Sequence, residues 1–202
     1  MGVEISIAVL LAYLLGSIST AIIVCRLMGL GDPREGGSGN PGATNVKRLY
    51  GNKAAAITLF GDLLKGVIPV LLAYQYGFSN AEVFIIGFAA FIGHLYPVFF
   101  GFRGGKGVAT MLGMMLALSP PIGLAIVATW LFVAKVLKIS SLSALVAAFF
   151  APVYIYFVSG EPSWIYGSIV LTLILFWRHR SNIQRLLNGE ESLIKKDLGS
   201  AE

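Results

Sequence analysis

The sequence is poor in charged residues, cysteine and histidine, and each shortage excludes a class of protein. Only 12% of its 202 residues are charged, whereas a soluble domain normally carries about 25%. The single cysteine, Cys25, excludes a disulfide framework within the chain. Two histidines, His94 and His179, are too few for a zinc-type ligand cluster, so no metal site is expected.

Apolar residues are abundant instead: they make up 56% of the chain, and the mean hydropathy is +0.80. A transmembrane helix needs roughly 20 mostly apolar residues. Candidate spans lie near residues 3–27, 54–76, 81–100, 107–119, 121–137, 140–158 and 162–178. The fourth is too short for a full span unless its glycine-rich entry lies below the membrane surface. The sequence therefore predicts an all-α integral membrane protein, a single membrane domain over residues 1–202 with about seven transmembrane helices.

The basic residues alternate between the connections of these spans. Lys and Arg occur at 26, 34, 47, 48, 53, 103, 106, 135, 138, 178, 180, 185, 195 and 196, all in odd-numbered connections or the C-terminal tail. The even-numbered connections, near 77–81, 119–121 and 159–162, contain none. The positive-inside rule then predicts an N-terminus outside and a C-terminus in the cytoplasm. Lys65, inside the second span, is the exception.

Three polar segments interrupt the apolar chain, at residues 36–48, 101–110 and 178–185, and all belong to odd-numbered connections or the C-terminal tail. Each combines glycines or small hydroxyl and amide residues with Arg or Lys. Glycine lets the backbone approach a ligand and point its N–H groups at it, and the basic side chains supply positive charge. This combination is typical of phosphate binding. We therefore expect an enzyme whose active site is built from loops at the cytoplasmic face.

The first segment contains the turn Asn40-Pro41-Gly42, whose proline could open a helix through 42–50. Such a helix would direct its N-terminal N–H groups toward an anion. A turn-rich connecting loop explains the glycines equally well. It does not explain why Ser38, Thr44, Asn45 and Arg48 cluster with them.

The second segment, Arg103-Gly104-Gly105-Lys106-Gly107, precedes a helix predicted to begin near Val108. A glycine-rich loop that runs into a helix N-terminus is a ready anion site, although the spacing is not that of a Walker A motif. His94 lies just upstream. We interpret it as a structural hydrogen-bond partner in preference to a base.

The third segment ends the seventh span. If the helix continues, His179 and Asn182 share a face, as do Asn182 and Arg185. A basic cytoplasmic anchor explains Arg178 and Arg180 but does not require Asn182. Glu191 could pair with a loop arginine.

Asp62 and Lys65 lie three residues apart inside the second span. Charges within the membrane are costly and usually face a partner or a polar cavity. Two interpretations stay open. Either the two side chains neutralise each other and brace the first loop, or they line the site.

These residues make the chain resemble the bacterial acyl-phosphate:glycerol-3-phosphate acyltransferase family over essentially its whole length. Residues 38–45 match a highly specific first motif, and residues 93–97 with 102–110 match the second. The third motif is matched by residues 178–179, 182–183, 185–186, 189 and 191. Arg103 stands where lysine is more common in that family, and the charge is retained.

The resemblance implies a multi-pass enzyme of the bacterial inner membrane. It implies transfer of a fatty acyl group from acyl phosphate to the 1-hydroxyl of sn-glycerol 3-phosphate, which gives lysophosphatidic acid and phosphate. The partners are then these two substrates and the lipid bilayer, with no nucleic acid, metal or cofactor. Acyl-chain preference and oligomeric state, a monomer included, stay open. The main alternative from another class is a transporter of a phosphorylated metabolite, whose charges should line a path across the membrane.

We expect each site residue to have one of three roles. The catalytic residues are Ser38, Arg48, His179 and Asn182, and the substrate-binding residues are Gly39, Asn40, Gly42, Thr44, Asn45, Lys65, Arg103, Gly104, Gly105, Lys106 and Gly107. The structural residues are Asp62, His94 and Glu191. For the general base, His179 is the better candidate because its imidazole is expected to be neutral near pH 7, and a phosphate oxygen of the substrate is its rival. No Ser-His-Asp signature supports an acyl-enzyme on Ser38.

Overall fold

A computed structural model describes residues 2–194, and its regular secondary structure in that range is helical. The helices are α1 (Val3–Gly16), α2 (Thr20–Leu27), α3 (Ala43–Tyr50), α4 (Asn52–Gln75), α5 (Asn80–Leu95), α6 (Val108–Leu118), α7 (Pro120–Leu137), α8 (Ser140–Val158), α9 (Pro162–Arg178) and α10 (Arg180–Leu187). A 3-10 turn, Val98–Phe100, follows α5. Lys195 and Lys196, which the charge pattern placed in the cytoplasmic tail, lie outside the described residues.

Several of these helices have the length and hydropathy of membrane spans. Within residues 2–194, four qualify by themselves: α4, α5 with the turn after it, α7 and α8. The bent pair α1 and α2 makes a fifth. Helix α6 has 11 residues and α9 has 17, so both are shorter than an ordinary span. The chain is thus an all-helical membrane protein with several apolar helices, and the count of seven stays a prediction.

The first predicted span, 3–27, is not one continuous helix. It breaks between α1 and α2, which meet at 41°. Two serines lie at the break, where serine hydroxyls compete with the helical hydrogen bonds and favour a bend. The hydroxyl of Ser17 donates to the carbonyl oxygen of Tyr13 at 2.9 Å, and Ser19 has extended backbone angles.

Small residues allow the central helices to cross closely. A Cβ atom on Gly66 of α4 would lie 2.1 Å from the carbonyl oxygen of Thr110 in α6, and one on Gly113 would lie equally close to that of Leu63. Such contacts between small residues hold membrane helices together. The α4–α6 crossing fixes the start of α6, and with it the second polar segment, against the middle of α4.

The helices of the polar segments lie close to the predicted positions, with two differences. Helix α6 begins at Val108 after Gly107, whose φ of +87° suits glycine. Helix α3 begins at Ala43, so Pro41 precedes the helix and does not open it. The predicted continuation of the last span is interrupted at His179, which ends α9 and begins α10.

Candidate active site

The three polar segments meet around one cavity of about 330 Å³, a size typical of small-molecule sites. The polar part of its lining comes from α3, α4, α5, α8, α10 and the loops beside them. These lining residues are Ser38, Asn40, Gly42, Ala43, Thr44, Asn45, Arg48, Asp62, His94, Lys106, Gly107, Ser140, Ser141, His179, Asn182, Arg185 and Glu191. Segments far apart in sequence, chosen only for their residue types, therefore share one site.

Asn45 holds the first segment in its folded shape. Its buried amide donates to the carbonyl oxygens of Pro33, at 2.8 Å, and Gly36, at 3.1 Å. Its carbonyl oxygen accepts from the backbone N–H of Ser38 at 2.9 Å. Both amide N–H groups and the carbonyl oxygen are thereby engaged within the loop, so Asn45 shapes the loop. It also lines the cavity, and its role in substrate binding stays a prediction.

The loop so held presents Ser38 to the cavity, and α3 presents Arg48 and its own first residues. Arg48 forms no ion pair with a carboxylate of the described residues. Thr44 contacts Ser140 at the start of α8, with their hydroxyl oxygens 3.2 Å apart. Gly39, predicted to bind substrate, is not among the lining residues.

In the second segment, Lys106 and Gly107 line the cavity, whereas Arg103, Gly104 and Gly105 do not. Arg103 is exposed. The two buried glycines pack against α5: a Cβ on Gly105 would lie 2.2 Å from Nε2 of His94, and one on Gly104 would lie 2.1 Å from the carbonyl oxygen of His94. These glycines are needed for close packing, and the prediction that they themselves cradle a phosphate finds no support in this geometry.

Arg178 is a functional candidate that the sequence interpretation missed. Its position at a helix end predicts a basic anchor, but its guanidinium donates to the carbonyl oxygens of Gly104 and Gly105, at 3.0 and 2.9 Å. It also lies over the ring of Tyr96, 5.2 Å from the centroid. Arg178 therefore clamps the second segment from α9. Arg180, which lies over the exposed ring of Trp177, keeps its interpretation as a surface residue.

The third segment connects to the second through Asn182. Lys106 donates a hydrogen bond to Oδ1 of Asn182, and Nδ2 of Asn182 donates to Glu191 at 2.6 Å. Glu191 also accepts from Arg185, at 2.7 Å, and from Ser141 at the start of α8, at 2.8 Å. The predicted pairing of Glu191 with an arginine is thus present, although that arginine lies in a helix and not in a loop.

Burial lowers the pKa of two cavity residues, Lys106 and His179. Desolvation, helped by the positive charge of Arg185, lowers the pKa of Lys106 to about 8. Desolvation also lowers the pKa of His179 to about 4, so its imidazole is neutral at pH 7. Nδ1 of His179 lies 2.8 Å from the carbonyl oxygen of Leu175. A carbonyl oxygen only accepts, so Nδ1 carries the proton and Nε2 is left as an acceptor.

The charge of Glu191 is stabilised by its neighbours. Burial by itself raises the pKa of its carboxyl group. The hydrogen bonds from Asn182, Ser141 and Arg185 outweigh that effect and hold the pKa below its ordinary value. An ionised Glu191 fixes the orientation of Asn182, whose oxygen then faces Lys106.

Asp62 and Lys65 form a buried ion pair, with Oδ1 and Nζ 2.9 Å apart. Asp62 lines the cavity, but Lys65 does not. Nζ of Lys65 donates to the carbonyl oxygen of Ile18 at 2.9 Å. Two corrections follow: Lys65 is not placed to bind substrate in this cavity, and it braces the break between α1 and α2 instead of the first loop.

The other end of the cavity is apolar and was not predicted as part of the site. It is lined by Leu59, Leu63, Val108, Ala109, Leu112, Val127, Trp130, Leu131 and Ala144. Leu59 and Leu131 are 48% and 56% exposed. These exposures show that the apolar end reaches the outer surface of the helix bundle.

The cavity can therefore hold an anion next to an apolar chain. The N-terminal residues of α3 and α6 line it, and helix N-termini attract anions. Arg48 and Lys106 add positive charge. Among residues 2–194, no three His, Cys, Asp or Glu side chains are grouped closely enough to hold a metal ion.

Comparisons with known proteins agree with this chemistry. The sequence model of the glycerol-3-phosphate acyltransferase family matches residues 6–189. A protein of Hydrogenovibrio crunogenus named glycerol-3-phosphate acyltransferase is 69% identical over 95% of this chain and 92% of its own. One of Thioalkalivibrio sulfidiphilus with the same name is 57% identical over 94% and 93%.

Two solved structures also match: the glycerol 3-phosphate form and the lysophosphatidic acid form of PlsY, an integral membrane glycerol 3-phosphate acyltransferase. Their TM-scores are 0.90 and 0.88, at 39% and 38% identity. Each match covers 94% of this chain and 95% of the solved one. The chain belongs to the glycerol-3-phosphate acyltransferase family.

Proposed function

We propose that the chain transfers a fatty acyl group from acyl phosphate to the 1-hydroxyl of sn-glycerol 3-phosphate in the bacterial inner membrane. Acylation of glycerol 3-phosphate follows from family membership. The donor, the roles of the residues and the membrane orientation are the proposal. The observation that carries it is a single cavity with a cationic end and an apolar end.

We assign the two phosphate groups to different elements of the cationic end of the cavity. Ser38, Arg48 and the N-terminus of α3 are placed to hold the phosphate of the donor. Lys106, Asn182 and the N-terminus of α6 are placed to hold glycerol 3-phosphate. The fact that a related protein has been solved in a glycerol 3-phosphate form supports a specific site for the acceptor.

The apolar end is suited to the acyl chain of the donor. Trp130, Leu112 and Ala144 line its interior, and half-exposed Leu59 and Leu131 lie at the bundle surface. A fatty chain could then remain against lipid and protein while its activated carbonyl reaches the cationic end. A water-soluble acceptor needs no such path, which explains why the cavity is amphipathic.

The reaction needs positioning more than a strong base. The 1-hydroxyl oxygen attacks the carbonyl carbon of the mixed anhydride, and the carbon–oxygen bond to phosphate breaks. The leaving phosphate takes the bonding electron pair, and its oxygen accepts the hydroxyl proton. A pKa of about 4 makes His179 a weak base at neutral pH. We therefore assign His179 to accept a hydrogen bond through Nε2 and thereby orient the acceptor.

The proposed topology has seven spans, the N-terminus outside and the cavity on the cytoplasmic side. It rests on the distribution of basic residues. The lone cysteine is fully buried, so single introduced cysteines can report exposure. With Glu190→Cys and Ser159→Cys, both at exposed positions, a membrane-impermeant thiol reagent on intact cells should label only position 159. Labelling of only position 190 would reverse the topology.

A donor comparison tests the proposal. Purified protein in lipid is given glycerol 3-phosphate with palmitoyl phosphate, palmitoyl-CoA or palmitoyl acyl carrier protein. We expect lysophosphatidate to form with palmitoyl phosphate as the donor and with neither thioester. Turnover with either thioester and none with palmitoyl phosphate would contradict the donor assignment, whereas uptake of glycerol 3-phosphate by vesicles without acylation would favour a transporter.

A further inference from the structure

Three charged or titratable side chains, Asp62, Lys65 and His94, lie together inside the helix bundle, 2%, 4% and 7% exposed. Charges in an apolar span carry a large desolvation cost, and residues that pack well without charge would avoid it. Mutual neutralisation of Asp62 and Lys65 does not explain why both are there. Each of the two has a further contact: Lys65 with the carbonyl oxygen of Ile18, and Asp62 with His94.

Lys65 faces away from the cavity. Nζ lies 2.9 Å from Oδ1 of Asp62 and donates to the carbonyl oxygen of Ile18, also at 2.9 Å. Ile18 lies in the break between α1 and α2, where helical carbonyls lose their usual partners. Lys65 therefore ties Asp62 to a fixed point in the first helix pair.

Asp62 faces the cavity and His94. Its Oδ1 is 3.6 Å from Nδ1 of His94, which is too long for a hydrogen bond but close enough for a directional electrostatic contact. Both side chains line the cavity. Asp62 thus presents its negative charge to one edge of the imidazole.

The opposite edge of the His94 ring supports the second polar segment. Nε2 of His94 occupies the space that a Cβ on Gly105 would take, at 2.2 Å. The backbone N–H of Gly105 donates to the carbonyl oxygen of His94 at 3.1 Å. The loop is then fixed between His94 on one side and Arg178 on the other. The next residue is Lys106.

We propose that Asp62 is a positioning residue for Lys106: held by Lys65, it orients His94, and His94 fixes the glycine loop from which Lys106 reaches Asn182. This inference rests on the proposed role of Lys106 in binding glycerol 3-phosphate. Asp62 need not touch the substrate for this role. Its loss should impair acceptor binding and leave donor binding nearly intact.

A single and a double variant separate a positioning role of Asp62 from simple charge neutralisation of Lys65. Asp62→Asn keeps the side-chain shape, and Asp62→Asn with Lys65→Met removes both charges together. With positioning, both raise the KM for glycerol 3-phosphate roughly 10- to 100-fold, as expected for a displaced binding group, while the KM for palmitoyl phosphate changes less than about twofold. A double variant with wild-type kinetics would show that the pair only neutralises itself, and would overturn the proposal.

His94→Phe provides an independent variant, because it leaves the Asp62–Lys65 pair intact and keeps a ring of similar size. It should show the same rise in the KM for the acceptor. A double-mutant cycle then tests whether Asp62 acts through Lys106. In a Lys106→Ala background, Asp62→Asn should not raise the KM for glycerol 3-phosphate further. Equal effects of Asp62→Asn with and without Lys106 would exclude action through that lysine.

The matched control is Thr172→Val, which removes a buried hydrogen bond from α9 to the carbonyl oxygen of Ala148 in α8. It should lower the Tm in detergent without changing either KM. Wild-type turnover, measured in parallel, separates the two proposals. An inactive wild type would contradict the proposed function. If the wild type is active and the Asp62 and His94 variants have wild-type KM values, only the positioning role is contradicted.

Discussion

Lys106 donates a hydrogen bond to Oδ1 of Asn182, across 76 residues of sequence. The bond joins the loop before α6 to helix α10 inside the cavity. Both partners have a second constraint: Lys106 follows a loop clamped by Arg178, and Asn182 donates to Glu191. The arrangement holds an ammonium group in place before any substrate arrives, which is the preorganisation that electrostatic catalysis requires.

The first prediction concerns Lys106 itself. Lys106→Ala should raise the KM for glycerol 3-phosphate roughly 10- to 100-fold, because a charge-assisted hydrogen bond to phosphate contributes about 1.5–3 kcal/mol. Steady-state kinetics with each substrate varied in turn measure this. The control is Lys53→Ala, an exposed lysine outside the cavity lining, which should leave both KM values unchanged. If Lys106→Ala raised only the KM for palmitoyl phosphate, Lys106 would belong to the donor pocket and the assignment of the two phosphate pockets would be reversed.

A second prediction follows from the pKa of Lys106, lowered to about 8. The ammonium form binds phosphate, and its fraction falls as pH rises through that value. The kcat/KM for glycerol 3-phosphate, which reports the free enzyme, should therefore decline above about pH 8. In Lys106→Arg the guanidinium stays charged, so the decline should move to higher pH. A decline at the same pH in that variant would assign the titration to another group.

A third prediction separates the two candidate bases. If the leaving phosphate accepts the proton, His179→Gln should lower kcat less than about 10-fold, whereas loss of a general base costs roughly 10²–10⁴-fold. The acidic limb of the pH profile should then follow ionisation of the substrate phosphate and stay in place in the variant. A larger loss, with a limb near pH 4 that disappears in His179→Gln, would make His179 the base.

The fourth prediction compares two neighbouring arginines. Arg178→Met removes the hydrogen bonds to Gly104 and Gly105, so the kcat/KM for glycerol 3-phosphate should fall roughly 10- to 100-fold. Arg180→Met removes only a surface contact with Trp177 and should have no such effect. Equal losses in the two variants would return Arg178 to the role of a basic anchor.

The fifth prediction concerns Glu191 and its exposed neighbour Glu190. Glu191→Gln removes the charge that orders Asn182, Ser141 and Arg185, so the Tm in detergent should fall by roughly 6–12 °C, equivalent to about 3 kcal/mol. Glu190→Gln should leave the Tm unchanged. The ionised form of Glu191 is stabilised, so its contribution should be lost as pH falls through its lowered pKa and should be present at neutral pH. Equal Tm values for both variants would contradict a structural role.

Much of the fold was predictable because hydropathy and proline positions are strong local signals. Helices α4, α7 and α8 begin and end within two residues of the predicted spans. The break in the first span was missed because its serines are a weak signal in an otherwise apolar run. Its stabilising partner, Lys65, lies 47 residues away from Ile18.

The sequence identified many residues of the site, but it did not identify the hydrogen bonds that connect them. Residue chemistry identified Ser38, Arg48, Lys106 and Asn182, all of which line the cavity. It could not show that Asn45 is occupied within its own loop. The role of Arg178 was hidden for a related reason: an arginine at a helix end has the same sequence pattern whether it anchors a span or clamps a distant loop.

The most direct test of the central claim is acceptor-dependent phosphate release. Purified protein in lipid is given palmitoyl phosphate with and without sn-glycerol 3-phosphate, and phosphate and lysophosphatidate are measured together. We predict that phosphate is released only with the acceptor, in a one-to-one ratio with lysophosphatidate. Phosphate release that does not depend on the acceptor, or release without lysophosphatidate, would contradict the account.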